Sequence, residues 1–189
     1  AAWKRNRQYV AYTLYRIYLD YHEAEAYDSL IDIVKGRVFQ CIPKCDGFTH
    51  EDAAQYSKLL FSCSIHADIK TMGSIVERLK RISNQFKGNA EIAVAYAKGL
   101  LVLGAKQEAA EAERTVGTLR EVAGRYEGNA ELAVAYAKGL LVLGAKQEAA
   151  EAERTVGTLR EVAGRYEGNA ELAVAYAKGL LVLGAKQEA

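Results

Sequence analysis

The fold is decided by residues 88–127, GNAEIAVAYAKGLLVLGAKQEAAEAERTVGTLREVAGRYE, which recur forty residues later with a single change, Ile92 to Leu132. A third copy starts at Gly168, and the sequence stops within it at Ala189. Self-similarity at a fixed period of this size is typical of stacked repeat arrays. The sequence therefore predicts an architecture built from one repeated unit.

Each unit predicts two helices. The first, over residues 90–103, is apolar nearly all round and follows Asn89, whose side chain can accept from the free N–H groups of a first helical turn. We expect Gly88 to close the preceding helix in a left-handed conformation, and Gly104 to end the first helix. The second helix, over residues 108–126, has a charged face and an apolar stripe at helical spacing. The stripe consists of Ala112, Val116, Leu119, Val122, Ala123 and Tyr126.

A hairpin made of these two helices cannot bury its own apolar surface, because the first helix is apolar on several sides. Stacking one hairpin on the next buries that surface. The small residues Ala93, Ala97 and Gly99 would let neighbouring helices approach closely. The sequence therefore predicts an all-α fold, an α-solenoid of stacked antiparallel helix hairpins.

We expect a single helical-repeat domain over residues 1–189. Apolar and tyrosine-rich stretches predict two earlier helices, which together form an atypical N-terminal cap hairpin. From residue 49 the forty-residue register is recognisable, since Tyr56 corresponds to Tyr96 and Leu60 to Leu100. The expected divisions are a cap hairpin at 1–48, a degenerate repeat at 49–88, near-identical repeats at 89–128 and 129–168, and a partial repeat at 169–189.

Composition excludes several classes of protein. The net charge is +1, which argues against a general binder of polyanions. No run of eighteen apolar residues and no basic-then-apolar leader is present, so we expect no membrane span and no secretory signal. With three cysteines and no export signal, we expect a reducing, cytoplasmic location.

The hairpin resembles the tetratricopeptide-repeat class of α-solenoid over residues 49–189. The matching features are the two-helix unit, the small and aromatic residues of the first helix (Ala93, Tyr96, Gly99), the glycine at the turn (Gly104) and the alanine after it (Ala109). The period of forty exceeds the roughly 34 residues of that class, and Glu127-Gly128 stands where a proline is expected, so HEAT-like arrays stay open as an alternative. The resemblance implies a right-handed superhelix whose first helices line a concave groove that binds peptides or protein surfaces.

Glu91 and Lys98 are the only charged residues of the first helix and lie two turns apart on one face. Repetition places the lysines in a ladder and the glutamates in a parallel row. We expect this groove to bind another protein or an extended acidic peptide. Alternatively, each lysine lays its stem over apolar neighbours and binds nothing. The predicted groove residues are Tyr56, Lys58, Glu91, Tyr96, Lys98, Tyr136, Lys138 and Lys178, of which the tyrosines are equally well explained as core.

The candidate metal ligands are Cys41, Cys45, His50, Cys63 and His66. Zinc sites take four such ligands in a tetrahedron and are usually introduced by tight cysteine pairs. The spacing here is irregular, and Cys63 corresponds to Leu103, a core position, so we interpret it as a buried free thiol. We therefore expect no metal and no cofactor.

A catalytic site is not predicted. Cys63 lies near Ser62 and His66 in the sequence, but no third residue that would orient a base and no oxyanion loop accompany them. We expect no catalytic residues and no enzymatic activity.

Two other functions stay open. The chain could be a structural module, natural or engineered, that builds a rod or self-associates end to end through its last helix and has no ligand. It could also bind nucleic acid through Lys4, Arg5 and Arg7 beside a series of tyrosines, although packing is the commoner use of tyrosine. That series is Tyr9, Tyr12, Tyr15, Tyr18 and Tyr21.

Overall fold

A computed structural model of the protein describes residue 29, residues 31–32 and residues 48–188. The predicted cap hairpin, with its tyrosines and basic residues, lies outside the described residues except for these few positions. Cys41 and Cys45 lie outside them as well.

Residues 48–188 form seven α-helices with short connections and contain no strand. The helices are α1 (His50–His66), α2 (Ile69–Gln85), α3 (Ala90–Lys106), α4 (Ala109–Arg125), α5 (Ala130–Lys146), α6 (Ala149–Arg165) and α7 (Ala170–Gln187).

The predicted all-α fold is confirmed. α1 packs on α2, and from α4 onward each helix packs on the next, while α5 also contacts α7, the first helix of the following hairpin. This packing order is that of an α-solenoid. Contacts divide the chain into two compact units, one ending at Gly99 and one beginning at Leu100, with the boundary inside α3. The finer division into repeats stays a prediction.

The predicted helix start at Asn89 is confirmed, since its side-chain oxygen accepts from Ile92 N–H at 3.2 Å. This bond satisfies one of the backbone donors that a helix start leaves free. The preceding Gly88 has φ of 90°, a left-handed conformation that glycine adopts without steric cost. Both features recur in the later copies, at Gly128 and Asn129 and at Gly168 and Asn169.

The prediction that the first helix ends at Gly104 is wrong, since α3 continues to Lys106. Gly104 lies inside the helix, where a Cβ would be 3.4 Å from Thr115 Cγ2 of α4. Thr115 also donates from its hydroxyl to Gln107 Oε1 at 2.7 Å. The glycine therefore permits close packing of the two helices of a hairpin and does not stop the first one.

The first unit buries the apolar faces of α1 and α2 against each other. Leu60 and Leu79 are fully buried in it. Phe86 closes this core near the end of α2, where its ring stacks edge-on against Phe48 at 5.7 Å and against His50 at 5.0 Å.

The second unit repeats one packing arrangement. In α4 the predicted stripe residues Leu119 and Val122 are buried, and so is Thr115, which the stripe did not include. Leu119 lies over Gly139 of α5, where a Cβ would be 2.7 Å from its Cδ1 atom. Leu159 of α6 lies over Gly179 of α7 in the same way, at 2.9 Å. The second helix of each hairpin thus contacts the next hairpin through a leucine on a glycine.

Within the described part of the chain, none of the helices has the length and apolar character needed to cross a bilayer.

This packing predicts that Gly139→Leu lowers stability, because the new side chain overlaps the buried Leu119. We expect the free energy of unfolding to fall by about 1–3 kcal/mol, the usual cost of overpacking a core. Urea unfolding followed by circular dichroism measures it. The matched control is Gly157→Leu, on an exposed position of α6 with open space around it. That change should leave stability the same or raise it by up to about 1 kcal/mol; an equal loss in both variants would contradict the packing.

Candidate functional site

The predicted groove tyrosines are buried. Tyr56, Tyr96 and Tyr136 are 3%, 5% and 8% exposed. Burial raises the pKa of Tyr56 to about 12, although the nearby Arg78 acts in the opposite direction. Burial likewise raises the pKa of Tyr136. Their rings therefore lie within the packed interior and are not on the surface, where a partner could contact them.

In the first unit, Lys58 and Glu91 form an ion pair between α1 and α3. The distance from Lys58 Nζ to Glu91 Oε2 is 2.9 Å, and the two side chains are 54% and 63% exposed. The pair thus joins the first helices of consecutive hairpins on an open surface. Lys98, which the sequence places with Glu91 on one face of α3, is partly buried.

The second unit contains the equivalent ion pair between α5 and α7. Lys138 Nζ lies 2.7 Å from Glu171 Oε2, and the two side chains are 48% and 65% exposed. We call the pairs Lys58–Glu91 and Lys138–Glu171 rungs. Lys178 occupies the same position on α7, is exposed, and has no ion-pair partner among the described residues.

Two further hydrogen bonds connect successive hairpins of the second unit. Lys146 Nζ donates to the carbonyl oxygen of Gln107 at 2.7 Å, and the Gly128 N–H donates to Tyr166 Oη at 3.3 Å. Neither bond is predicted from the sequence, because each joins residues nearly one repeat apart. A search for polar residues separated by nearly the forty-residue period, which places them on neighbouring hairpins, is the sequence signal that could have revealed these bonds.

Replacing one charged group of a rung by another of the same sign costs little free energy. An exposed ion pair contributes about 0–1 kcal/mol, because water screens both charges and two long side chains lose freedom. A carboxylate or ammonium group of a bound chain could therefore replace one member of a rung with little loss of stability. Because both pairs are exposed, their strength falls as the salt concentration rises.

Cys63 is the buried free thiol that the sequence predicts, 1% exposed on α1. Burial raises its pKa to about 12, so the thiol is protonated at neutral pH. His50 stacks against Phe86. Across the described ranges, no three His, Cys, Asp or Glu side chains are grouped so that they could hold a metal ion.

Comparisons with protein-family models, with curated proteins and with solved structures gave no match.

We predict a small but measurable coupling across the Lys138–Glu171 rung. A double-mutant cycle of Lys138→Ala and Glu171→Ala should give a coupling of about 0.2–1 kcal/mol in the free energy of unfolding at low salt. In about 1 M NaCl, where charges are screened within about 3 Å, the coupling should shrink. The control cycle pairs Lys178→Ala with Glu171→Ala, two residues two turns apart on one helix, and should give none. Equal coupling in both cycles would contradict the rung.

Proposed function

We propose that the protein is a non-enzymatic helical-repeat scaffold that binds another protein, or an extended peptide, on the rung-bearing surface of its first helices. The observation that carries the proposal is the exposed rung present in each unit, Lys58–Glu91 and Lys138–Glu171. Equivalent lysines and glutamates recur at a fixed period in the sequence. Within each unit, a chain that lies across the two first helices joined by a rung meets one lysine and one glutamate.

Acidic side chains are the ligand class that this surface favours. Lys178 is exposed and has no ion-pair partner among the residues described, so one ammonium group is already available. At the rungs, a carboxylate of the bound chain replaces that of Glu91 or Glu171. The free-energy cost of this replacement is small because the original ion pairs are exposed. The buried tyrosines hold the helices in place and contribute through packing.

A relationship to the tetratricopeptide-repeat class belongs to this proposal. Its support is the two-helix unit and the close approach of helices at Gly99, Gly139 and Gly179. We also propose a reducing, cytoplasmic location, which the free buried thiol of Cys63 supports.

The second candidate function is a structural module with no ligand. It is favoured by the fact that both rungs are already paired within the chain, so that they connect hairpins without any partner. In that case the charged surface serves only to join and solubilise the repeats.

Affinity capture with three forms of the protein separates the two functions. The test variant carries Lys58→Glu and Lys138→Glu, and the control carries Lys80→Glu and Lys87→Glu, two exposed lysines outside the first helices. Both variants have the same net charge. We expect a partner that binds the unaltered chain and the control but is lost, by at least about tenfold in affinity, from the test variant.

A third variant guards against an indirect effect on folding. Lys138→Glu combined with Glu171→Lys keeps an ion pair in the rung but reverses its direction. Loss of binding in this variant, with unchanged helicity and unfolding midpoint, assigns the effect to contact with the partner. Binding that survives in the test variant, or no partner retained by any form, would contradict the proposal and favour the structural module.

A further inference from the structure

The exposed side of α2 differs in charge from that of α4 and α6, although all three are the second helices of their hairpins. Residues 69–87 contain five cationic residues and one acidic residue, whereas the corresponding residues 109–127 contain three cationic and four acidic ones. Residues 149–167 are identical to 109–127. The buried side is the same in kind, since Val76 and Leu79 of α2 are buried as Val116 and Leu119 of α4 are. Packing therefore does not explain the difference in charge.

The charge differs at positions that face solvent. Arg81 and Lys87 are exposed at the positions where the following repeat has glutamates. Those glutamates are Glu121 and Glu127. Lys70 is also exposed, at a position where the following repeat has an alanine. The surface that we call the basic face of α2 consists of the exposed residues Lys70, Lys80, Arg81 and Lys87.

Little of this positive charge is neutralised within the chain. Among the residues that the structure describes, Lys70, Arg81 and Lys87 have no ion-pair partner. Lys80 Nζ lies 3.8 Å from Glu77 Oε1, and the two side chains are 50% and 60% exposed. An exposed pair at this distance holds its cation weakly. The basic face is therefore available to an anionic ligand.

The cations are spread along a rigid element. Lys70 and Arg81 are eleven residues apart in α2, which is close to three full turns, so they lie on one side of the helix about 16 Å apart along its axis. Lys80 precedes Arg81, and Lys87 follows the end of the helix. Because duplex DNA carries one charge about every 1.7 Å of its axis, a line of cations of this length meets several phosphates.

The side chains around the cations indicate the kind of partner. Every exposed residue from 70 to 87 is polar or charged, and Ser74, Asn84 and Gln85 are exposed neutral donors among them. The core of a protein–protein interface is apolar and aromatic, and single strands stack their bases on aromatic rings. The basic face offers neither. Lysine, arginine, serine, asparagine and glutamine are the side chains that contact phosphate and sugar oxygens of a duplex.

We propose that the basic face of α2 binds the phosphate backbone of a nucleic-acid duplex without reading its sequence. The net charge of +1 is compatible with this site, because the acidic residues of the other second helices balance the cations of α2 in the total. The site goes beyond the rung surface and shares no residue with it.

The probe is a fluorescein-labelled duplex of about 20 base pairs and mixed sequence, as DNA in one arm and as RNA in the other, titrated with the full chain at low salt. Fluorescence anisotropy measures the binding. The test variant carries Arg81→Glu and Lys87→Glu, which restore the residues of the following repeat at both positions, so we expect it to fold. The control carries Lys58→Glu and Lys138→Glu, which give the same net charge and change only rungs. Circular dichroism checks that both variants stay helical.

We expect the unaltered chain to bind at least one of the duplexes saturably. The logarithm of its association constant should fall with the logarithm of the salt concentration with a slope of about −3 to −4, since each phosphate contact contributes about 0.9. In the test variant the affinity should fall by at least about tenfold and the slope should shrink by about two. The control should bind within about threefold of the unaltered chain, so this proposal and the rung proposal fail independently.

Two comparison ligands test the choice of partner. Polyglutamate offers carboxylates in place of phosphates, and vesicles rich in phosphatidylserine offer an anionic surface that Ile65 and Ile69, exposed just before the basic face, could enter. Tighter binding of either ligand than of both duplexes would overturn the proposal. No saturable binding of either duplex, or equal weakening in the test variant and the control, would overturn it as well.

Discussion

The contact on which the rest of the structure depends is a leucine of a second helix packed on a glycine of the next first helix. In the first unit a Cβ on Gly99 would lie 3.0 Å from Leu79 Cδ1, and in the second a Cβ on Gly139 would lie 2.7 Å from Leu119 Cδ1. Both leucines are buried and cannot move aside freely. Because close-packed interiors resist added volume, the helices keep this spacing only where glycine is present. The rungs follow from it, since their lysine and glutamate meet only when consecutive hairpins approach closely.

Much of this fold could be predicted, because the residues that start and end helices recur in every copy of the repeated sequence. Asn89 and Gly88 act locally on the backbone, and both behave as the sequence predicts. Gly104 does not, because a glycine can either end a helix or make room for a neighbour. Which role it takes depends on Thr115 in the following helix. Contacts across a hairpin are not visible in the periodicity of one helix.

The candidate site is only partly predictable for the same reason, since contacts between helices are not visible in the sequence of one helix. The lysines stand out in the sequence because they are among the few charged residues of apolar helices. The partner of Lys58 is Glu91, in the following hairpin. The sequence pattern does not suggest this pair, because it places Glu91 on one helix face with Lys98. The sequence leaves the burial of Tyr96 open for a related reason. A helix that is apolar on several sides does not reveal which side meets solvent. The basic face of α2 is recognisable only by comparing the exposed positions of α2 with those of α4.

Nuclear Overhauser effects between leucine methyl groups and glycine α-protons test the central claim most directly, namely that each hairpin repeats one packing contact. In protein with labelled leucine methyls, we predict cross-peaks from Leu119 to Gly139 and from Leu159 to Gly179, of similar intensity. Cross-peaks in only one copy, or leucine methyls that contact other residues in place of these glycines, would show that the forty-residue period of the sequence is not a period of the structure.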